Sequence, residues 1–114
     1  MPAPIIGLHL PCATEAYAEP EKWDQWILAE RGHGPEWARV FRIGGNDAQR
    51  LWNVIADAIL DAPISAIRDG SPHGVGCQVR VALTLTDRTA RVLTIWHYAS
   101  MTDAPRLVTA YPTP

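Results

Sequence analysis

The sequence predicts an α+β fold in which N-terminal helices pack on a C-terminal antiparallel β-meander of three to four strands. Apolar residues recur at three-and-four spacing up to Pro63, the helical period, and then at period two, the strand period. The chain has 114 residues, 47% hydrophobic and 19% charged, enough for one domain with its own core and unlike a disordered chain or a coiled coil. No internal repeat or low-complexity tract divides it.

Residues 1–19 carry Pro2, Pro4 and Pro11 and predict an extended arm with one short strand around Ile5–Leu10. Residues 20–62 read as helical. Pro20 suits a first helical turn, and Glu19 and Glu21 beside it complement the helix dipole. Trp23, Trp26, Ile27 and Glu30 follow at helical spacing until Gly32 and Gly34 stop the run. A second helix from Pro35 to Ile43 carries the stripe Trp37, Val40 and Phe41, and Gly44-Gly45 ends it. Asn46 is the expected N-cap of a third, along which Leu51, Trp52, Ile55, Ala58 and Ile59 recur until Pro63. Aromatics at helical spacing are core residues by default, so four of the five Trp are expected to be packing.

Residues 64–112 read as the sheet. A short strand and a Gly/Ser/Pro loop occupy 64–74, and Gln78 to Thr86 then alternates cleanly. Asp87-Arg88 is the expected hairpin turn, Arg91 to Tyr98 the return strand, and Arg106 to Tyr111 the last strand, closed by Pro112.

The net charge of −2 argues against a protein wrapped in nucleic acid but not against one that cuts it. Nine Arg face a single Lys, Lys22. GC-rich codon usage accounts for that bias by itself, while bidentate binding of phosphates would also favour Arg. The distribution says more. Residues 1–63 hold five basic and nine acidic side chains, and residues 64–114 hold five and three, so an anion site belongs to the second half. No apolar run approaches a membrane span, and no basic-then-apolar leader opens the chain, so a protein without a membrane partner is expected, either cytoplasmic or delivered into a target cell as part of a larger toxin. Cys12 and Cys77 permit one bridge but no disulfide framework. His9-x2-Cys12 and His73-x3-Cys77 could be halves of a zinc site, but with no CxxC present neither a metal nor a cofactor is expected.

With Asp87-Arg88 as the turn, Thr84 faces Arg91, Arg80 faces Ile95 and Gln78 faces His97, all on one side of the sheet. The other side carries Val79, Val81, Leu83, Leu85, Val92, Thr94, Trp96 and Tyr98 and is expected to pack on the helices. In the last strand Thr109 and Tyr111 share a face with Leu107, and Arg106 shares one with Val108. Either set is compatible with the polar side. A face of Arg, His, Thr and Tyr can cleave RNA without metal, given a base for the 2′-hydroxyl, an acid for the leaving oxygen and cations for the phosphate. The solvated face of any antiparallel sheet is polar too, so residue types alone do not decide the matter. His33 and His73 sit in Gly-bordered loops from which a side chain can reach a site.

Leu10-Pro11, Pro20-Glu21-Lys22-Trp23 and Trp26-Ile27-Leu28, followed by Gly34 to Gly44, resemble the opening of the bacterial domain-of-unknown-function family 6883. Thr94-Ile95-Trp96 and the octapeptide from Pro105 to Pro112, PRLVTAYP, resemble that family's ending and are the more specific match. The resemblance covers about Leu10 to Pro112. It implies a domain found free-standing or at the C-termini of polymorphic toxins and phage head proteins. The closing strand is also similar to that of RNase toxins of the barnase, EndoU, colicin and RelE group. That similarity implies a single-stranded RNA or tRNA substrate cut to a 2′,3′-cyclic phosphate, and a cognate immunity partner. It further implies His73 as acid/base, Thr109 and Tyr111 as hydroxyl donors and Arg106 as a phosphate contact, to which the polar sheet face adds His97 as the alternative acid/base and Arg80, Arg91 and Thr84 as substrate contacts. Trp37 departs from the family, which usually has Lys before the Ala, leaving Arg39 or Arg42 to replace it if that Lys binds substrate. The competing expectation is a non-catalytic interaction module, suggested by the acidic first half and its tryptophans.

Overall fold

The computed structural model describes residues 3–70, 74–99 and 104–113. Helical segments come first: a 3-10 turn at Ala13–Glu15, a wide π turn at Trp23–Ile27, helix α1 at Gly34–Phe41, a 3-10 turn at Gly45–Asp47 and helix α2 at Ala48–Ala58. Strands β1 (Ile64–Asp69), β2 (Val75–Leu85), β3 (Arg88–Tyr98) and β4 (Arg106–Pro112) then form one sheet in sequence order, antiparallel throughout. The helices cover one face of the sheet. This is the α+β meander that the change of period predicts.

Local deviations from the sequence expectation have identifiable causes. The segment around Ile5–Leu10 makes no strand. Gly7, at φ 93, turns the chain after two bonds to Ile64, from Gly7 N to Ile64 O and from Ile64 N to Leu8 O. The helix expected after Pro20 shrinks to the π turn, where Leu28 N reaches back five residues to Trp23 O. The chain doubles back there so closely that a Cβ on Gly32 would stand 2.0 Å from the Trp26 carbonyl oxygen. Asn46 does not cap α2; Asp47 stands at the N-cap position, and its carboxylate accepts from Gly44 N at 2.9 Å.

The core lies between α1, α2 and the inward sheet face. Trp37 and Phe41 of α1, Leu51 and Ile55 of α2, and Val79, Leu83, Val92, Trp96 and Tyr98 of the sheet are buried together. Trp23, Trp52 and Trp96 form a contiguous aromatic row, with centroid spacings of 6.4 and 6.1 Å. Buried polar groups on this face are paired: Trp96 Nε1 donates to Thr94 Oγ1, which donates to Val79 O. Four of the five Trp pack in or against the core, and Trp26 is the exposed one at 45%. Trp37 is fully buried and donates from Nε1 to Ala110 O on the free edge of β4, so position 37 is a core position here and not a substrate contact. Tyr17 covers another part of that edge through a parallel bridge to Arg106.

The hairpin register differs from expectation by two residues. The turn is Thr86-Asp87, both left-handed at φ 50 and 63, as a type I′ turn requires. Arg80 therefore faces Leu93, Gln78 faces Ile95 and Thr84 faces Thr89. A β-branched residue is unusual at such φ, and Thr86 Oγ1 lies within hydrogen-bonding reach of Phe41 O at the end of α1. Strand side chains alternate with period two, so a two-residue slip leaves every side chain on its expected face.

A bulge in β4 resolves the choice that strict alternation leaves open. Ile95 pairs with Thr109 and Trp96 with Leu107, leaving Val108 as the extra residue. Arg106, Thr109 and Tyr111 consequently all belong to the outward face, while Leu107 and Ala110 point to the core.

Candidate functional site

Among the described residues α1 and α2 pack on the inward face of the sheet, and the helical layer reaches the outward face at the β4 edge, where His33 meets Tyr111. Pairing arranges the outward face in rows across the strands. One row reads Arg68, Gly76, His97, Arg106; the next reads Gln78, Ile95, Thr109 with Ala66 at its β1 end; the third reads Arg80, Leu93, Tyr111. No carboxylate belongs to these rows. Glu19 reaches in from outside the sheet, its Oε1 3.4 Å from Arg106 Nη1. The acidic residues concentrate instead in the helical layer, at Glu15, Glu19, Glu21, Asp24, Glu30, Glu36, Asp47 and Asp57. The helical half therefore carries a net negative charge and the sheet half a net positive one.

Glycines open the first row. Gly74 sits at φ 105, and a Cβ there would lie 2.9 Å from His97 Nε2 and 2.0 Å from Tyr98 O, so only glycine allows the His97 ring its place. Gly76, directly opposite His97, leaves a depression of about 260 Å³ beside Arg68, Gln78 and Ile95. Strands lie about 4.8 Å apart, so Arg68, His97 and Arg106 stand within reach of one phosphodiester or two consecutive ones.

The expected site residues do not all converge. His97 and Arg106 are cross-strand neighbours. Thr109 lies in the next row, but its side chain is buried, and its Oγ1 has no hydrogen-bond partner among the described residues, so it is covered by the face and not displayed on it. Tyr111 is four residues along β3 from the His97 row, roughly 14 Å away, and belongs with Arg80 and Arg91 around Leu93. Thr84 is farther still, at the turn, hydrogen-bonded to Thr89 at 2.8 Å. His73 lies outside the described residues.

A second grouping forms at the β4 edge. The His33 ring stacks on Tyr111 at 4.4 Å and meets Trp26 edge-on at 5.5 Å. His33 Nδ1 lies 3.1 Å from Glu36 Oε1. A proton on Nδ1 donated to that carboxylate leaves Nε2 as the acceptor, an orientation suited to proton transfer or to hydrogen bonding a ligand. Its loop position marks His33 as a candidate in the sequence, but the partnership with Tyr111 spans 78 residues and has no local signature. Arg68 and Gly76 were the residues that sequence reasoning missed. The bulge at Ser65 sets the parity that brings Arg68 to the face, and irregular alternation in 64–74 hides it.

Displaced titration belongs to the inward side. Burial pushes the Cys77 thiol up to about 11, and burial, with Cys77 and Cys12 nearby, raises Tyr98, whose hydroxyl donates to Pro11 O at 2.6 Å. Cys12 and Cys77 are not joined in a disulfide. Among the described residues no three His, Cys, Asp or Glu side chains gather as a metal site, and no helix is long and apolar enough to cross a membrane.

No curated protein and no solved structure matches the chain. The family model DUF6883, described as a domain of unknown function, matches residues 9–114, nearly the whole of this helix-then-meander domain, and the chain belongs to that family.

Proposed function

We propose that this protein is a metal-independent endoribonuclease that lays single-stranded RNA across the open face of its sheet. The observation that supports this reading best is the row Arg68, Gly76, His97, Arg106, a histidine between two guanidiniums with no carboxylate in the row itself. In the proposed reaction His97 takes the proton from a 2′-hydroxyl, and the 2′-oxygen attacks the adjacent phosphorus. The bond to the 5′-oxygen breaks, and that oxygen receives a proton from His73, which precedes Gly74 in sequence. The products are a 2′,3′-cyclic phosphate and a 5′-hydroxyl. Arg106 and Arg68 stabilise the extra negative charge on the phosphoryl oxygens in the transition state. Arg80 and Arg91, with Tyr111, hold the neighbouring strand. Unpaired RNA suits an open face because its bases and 2′-hydroxyls are accessible.

The test is incubation of purified protein with total RNA or tRNA, with and without EDTA. Cleavage that survives EDTA and ends in cyclic phosphate is expected, falling at least about a hundredfold in His97→Ala. Absence of cleavage, or cleavage unchanged in His97→Ala, overturns the proposal.

A second reading, a non-catalytic interaction module, draws on the apolar arm, where Ile5, Ile6 and Leu8 are 54, 61 and 55% exposed. It predicts that expression leaves growth unaffected and that a specific protein co-purifies, and that Ile6→Asp abolishes the co-purification. Growth arrest that depends on His97 decides for the nuclease.

A further inference from the structure

The depression over Gly76 is lined by Ala66, Arg68, Gln78 and Ile95 and lies beside the His97 row. It measures about 260 Å³, somewhat below the ~300 Å³ from which pockets for drug-sized ligands begin, so it suits one ring system and not a whole nucleotide. Its walls differ in chemistry. Ile95 and Ala66 are apolar, Gln78 brings a carboxamide with both a donor and an acceptor, and Arg68 brings a planar guanidinium. His97, opposite Gly76, and Arg106 beyond it place positive charge or hydrogen-bond donors next to the rim. A flat heteroaromatic ring carrying a phosphate matches that sequence of surfaces.

We infer that the depression over Gly76 is a subsite for a purine base of the RNA, read by Gln78 and Arg68 while the attached phosphate lies toward His97 and Arg106. Purines are favoured over pyrimidines because only purines offer N7 beside an exocyclic group. A carboxamide pairs with the N6 and N7 of adenine, and a guanidinium with the O6 and N7 of guanine. Ile95 supplies the apolar contact for the ring, and Arg68 can also stack on it. The inference rests on the endoribonuclease reading for its biological meaning, but the pocket is testable without cleavage.

Gly76 gives the decisive variant. A Cβ there would meet nothing nearer than Arg68 O at 3.7 Å and Trp96 O at 3.8 Å, ordinary contact distances, so Gly76→Val fills the depression without displacing the strands. Valine is also a favoured strand residue.

Calorimetric titration of the full chain with the 3′-monophosphates of adenosine, guanosine, cytidine and uridine tests the idea. The purine nucleotides are expected to bind about tenfold more tightly than the pyrimidine ones. Gly76→Val is expected to abolish that preference while leaving a cooperative melting transition. Gln78→Ala, on the solvent face, provides the arm that does not depend on Gly76→Val folding: it lowers adenosine nucleotide affinity selectively, as Arg68→Ala does for guanosine. Equal binding of all four nucleotides, or a preference untouched by both Gly76→Val and Gln78→Ala, overturns the inference. RNA cleavage without base preference keeps the nuclease and removes the subsite. Purine binding without cleavage keeps the subsite and removes the nuclease.

Discussion

On β2 and β3 the inward positions Val79, Val81, Leu83, Val92 and Trp96 are buried, while Arg80, Ala82, Thr84 and Arg91, one residue away in each case or nearly so, are exposed. The two faces share a backbone and a register, yet one meets α1 and α2 and the other meets solvent. On the inward side polar groups are few and paired, as Thr94 and Trp96 show. On the outward side cations stand in rows without carboxylates among them. Period-two geometry therefore divides the chain's work: substitutions inside should alter stability, and substitutions outside should alter binding. The division is not absolute. Leu93 and Thr109 belong to the outward face and are nevertheless buried.

Experiments that move a residue between faces should break this division most severely. Leu107→Arg puts a cation, the residue type of the outward face, at a fully buried position of the inward one. Burying an unpaired charge or polar group costs several kcal/mol, and loss of cooperative unfolding by circular dichroism is expected. Trp96→Ala leaves the faces in place but empties the centre of the inward one. It should cost about 3–5 kcal/mol by urea denaturation, a large share of a small domain's stability. The pH dependence probes the same side more gently. Burial pushes the Cys77 thiol up to about 11 from about 9 in the unfolded chain, so it is neutral in both states only well below pH 9. Between pH 9 and 11 the unfolded chain releases its proton first, and stability should fall by about 2–3 kcal/mol. Tyr98 acts in the same direction, and Cys77→Ala should flatten the first part of the decline. The smallest effect on stability is expected outside. Arg80→Ala or Arg91→Ala should shift the urea midpoint by no more than about 0.5 kcal/mol. Each should nevertheless lower RNA affinity and reduce the slope of log K against log salt by about 0.7. An outer-face variant as costly as Trp96→Ala would abolish the distinction between the faces.

Much of this arrangement was legible in the sequence because it depends on local periodicity. The assignment of Val79 to Leu85 to the core and of Arg80, Thr84, Arg91 and His97 to the other side withstood an error in the turn. The slip was two residues, and a two-residue slip preserves parity. The turn itself was misplaced because Thr86 is a poor residue for a left-handed position, and its hydroxyl contact with Phe41 O comes from 45 residues away. The short strand at β1 was legible too, but not which way Arg68 points, since a bulge reverses parity without leaving a residue-type signal.

Fold class, the order of helices before strands and the packing of four tryptophans were determined by the sequence alone, through hydrophobic period and the positions of Pro and Gly, as was the segregation of charge through composition. Those are properties of neighbours along the chain. Which residues share the site was settled only by tertiary structure: the bulge that puts Arg106 with Tyr111 on one face, the register that places His97 between Gly76 and Arg106, and the stacking of His33 on Tyr111. Each depends on pairing between distant segments, where a shift of one residue exchanges core for surface while leaving local composition unchanged.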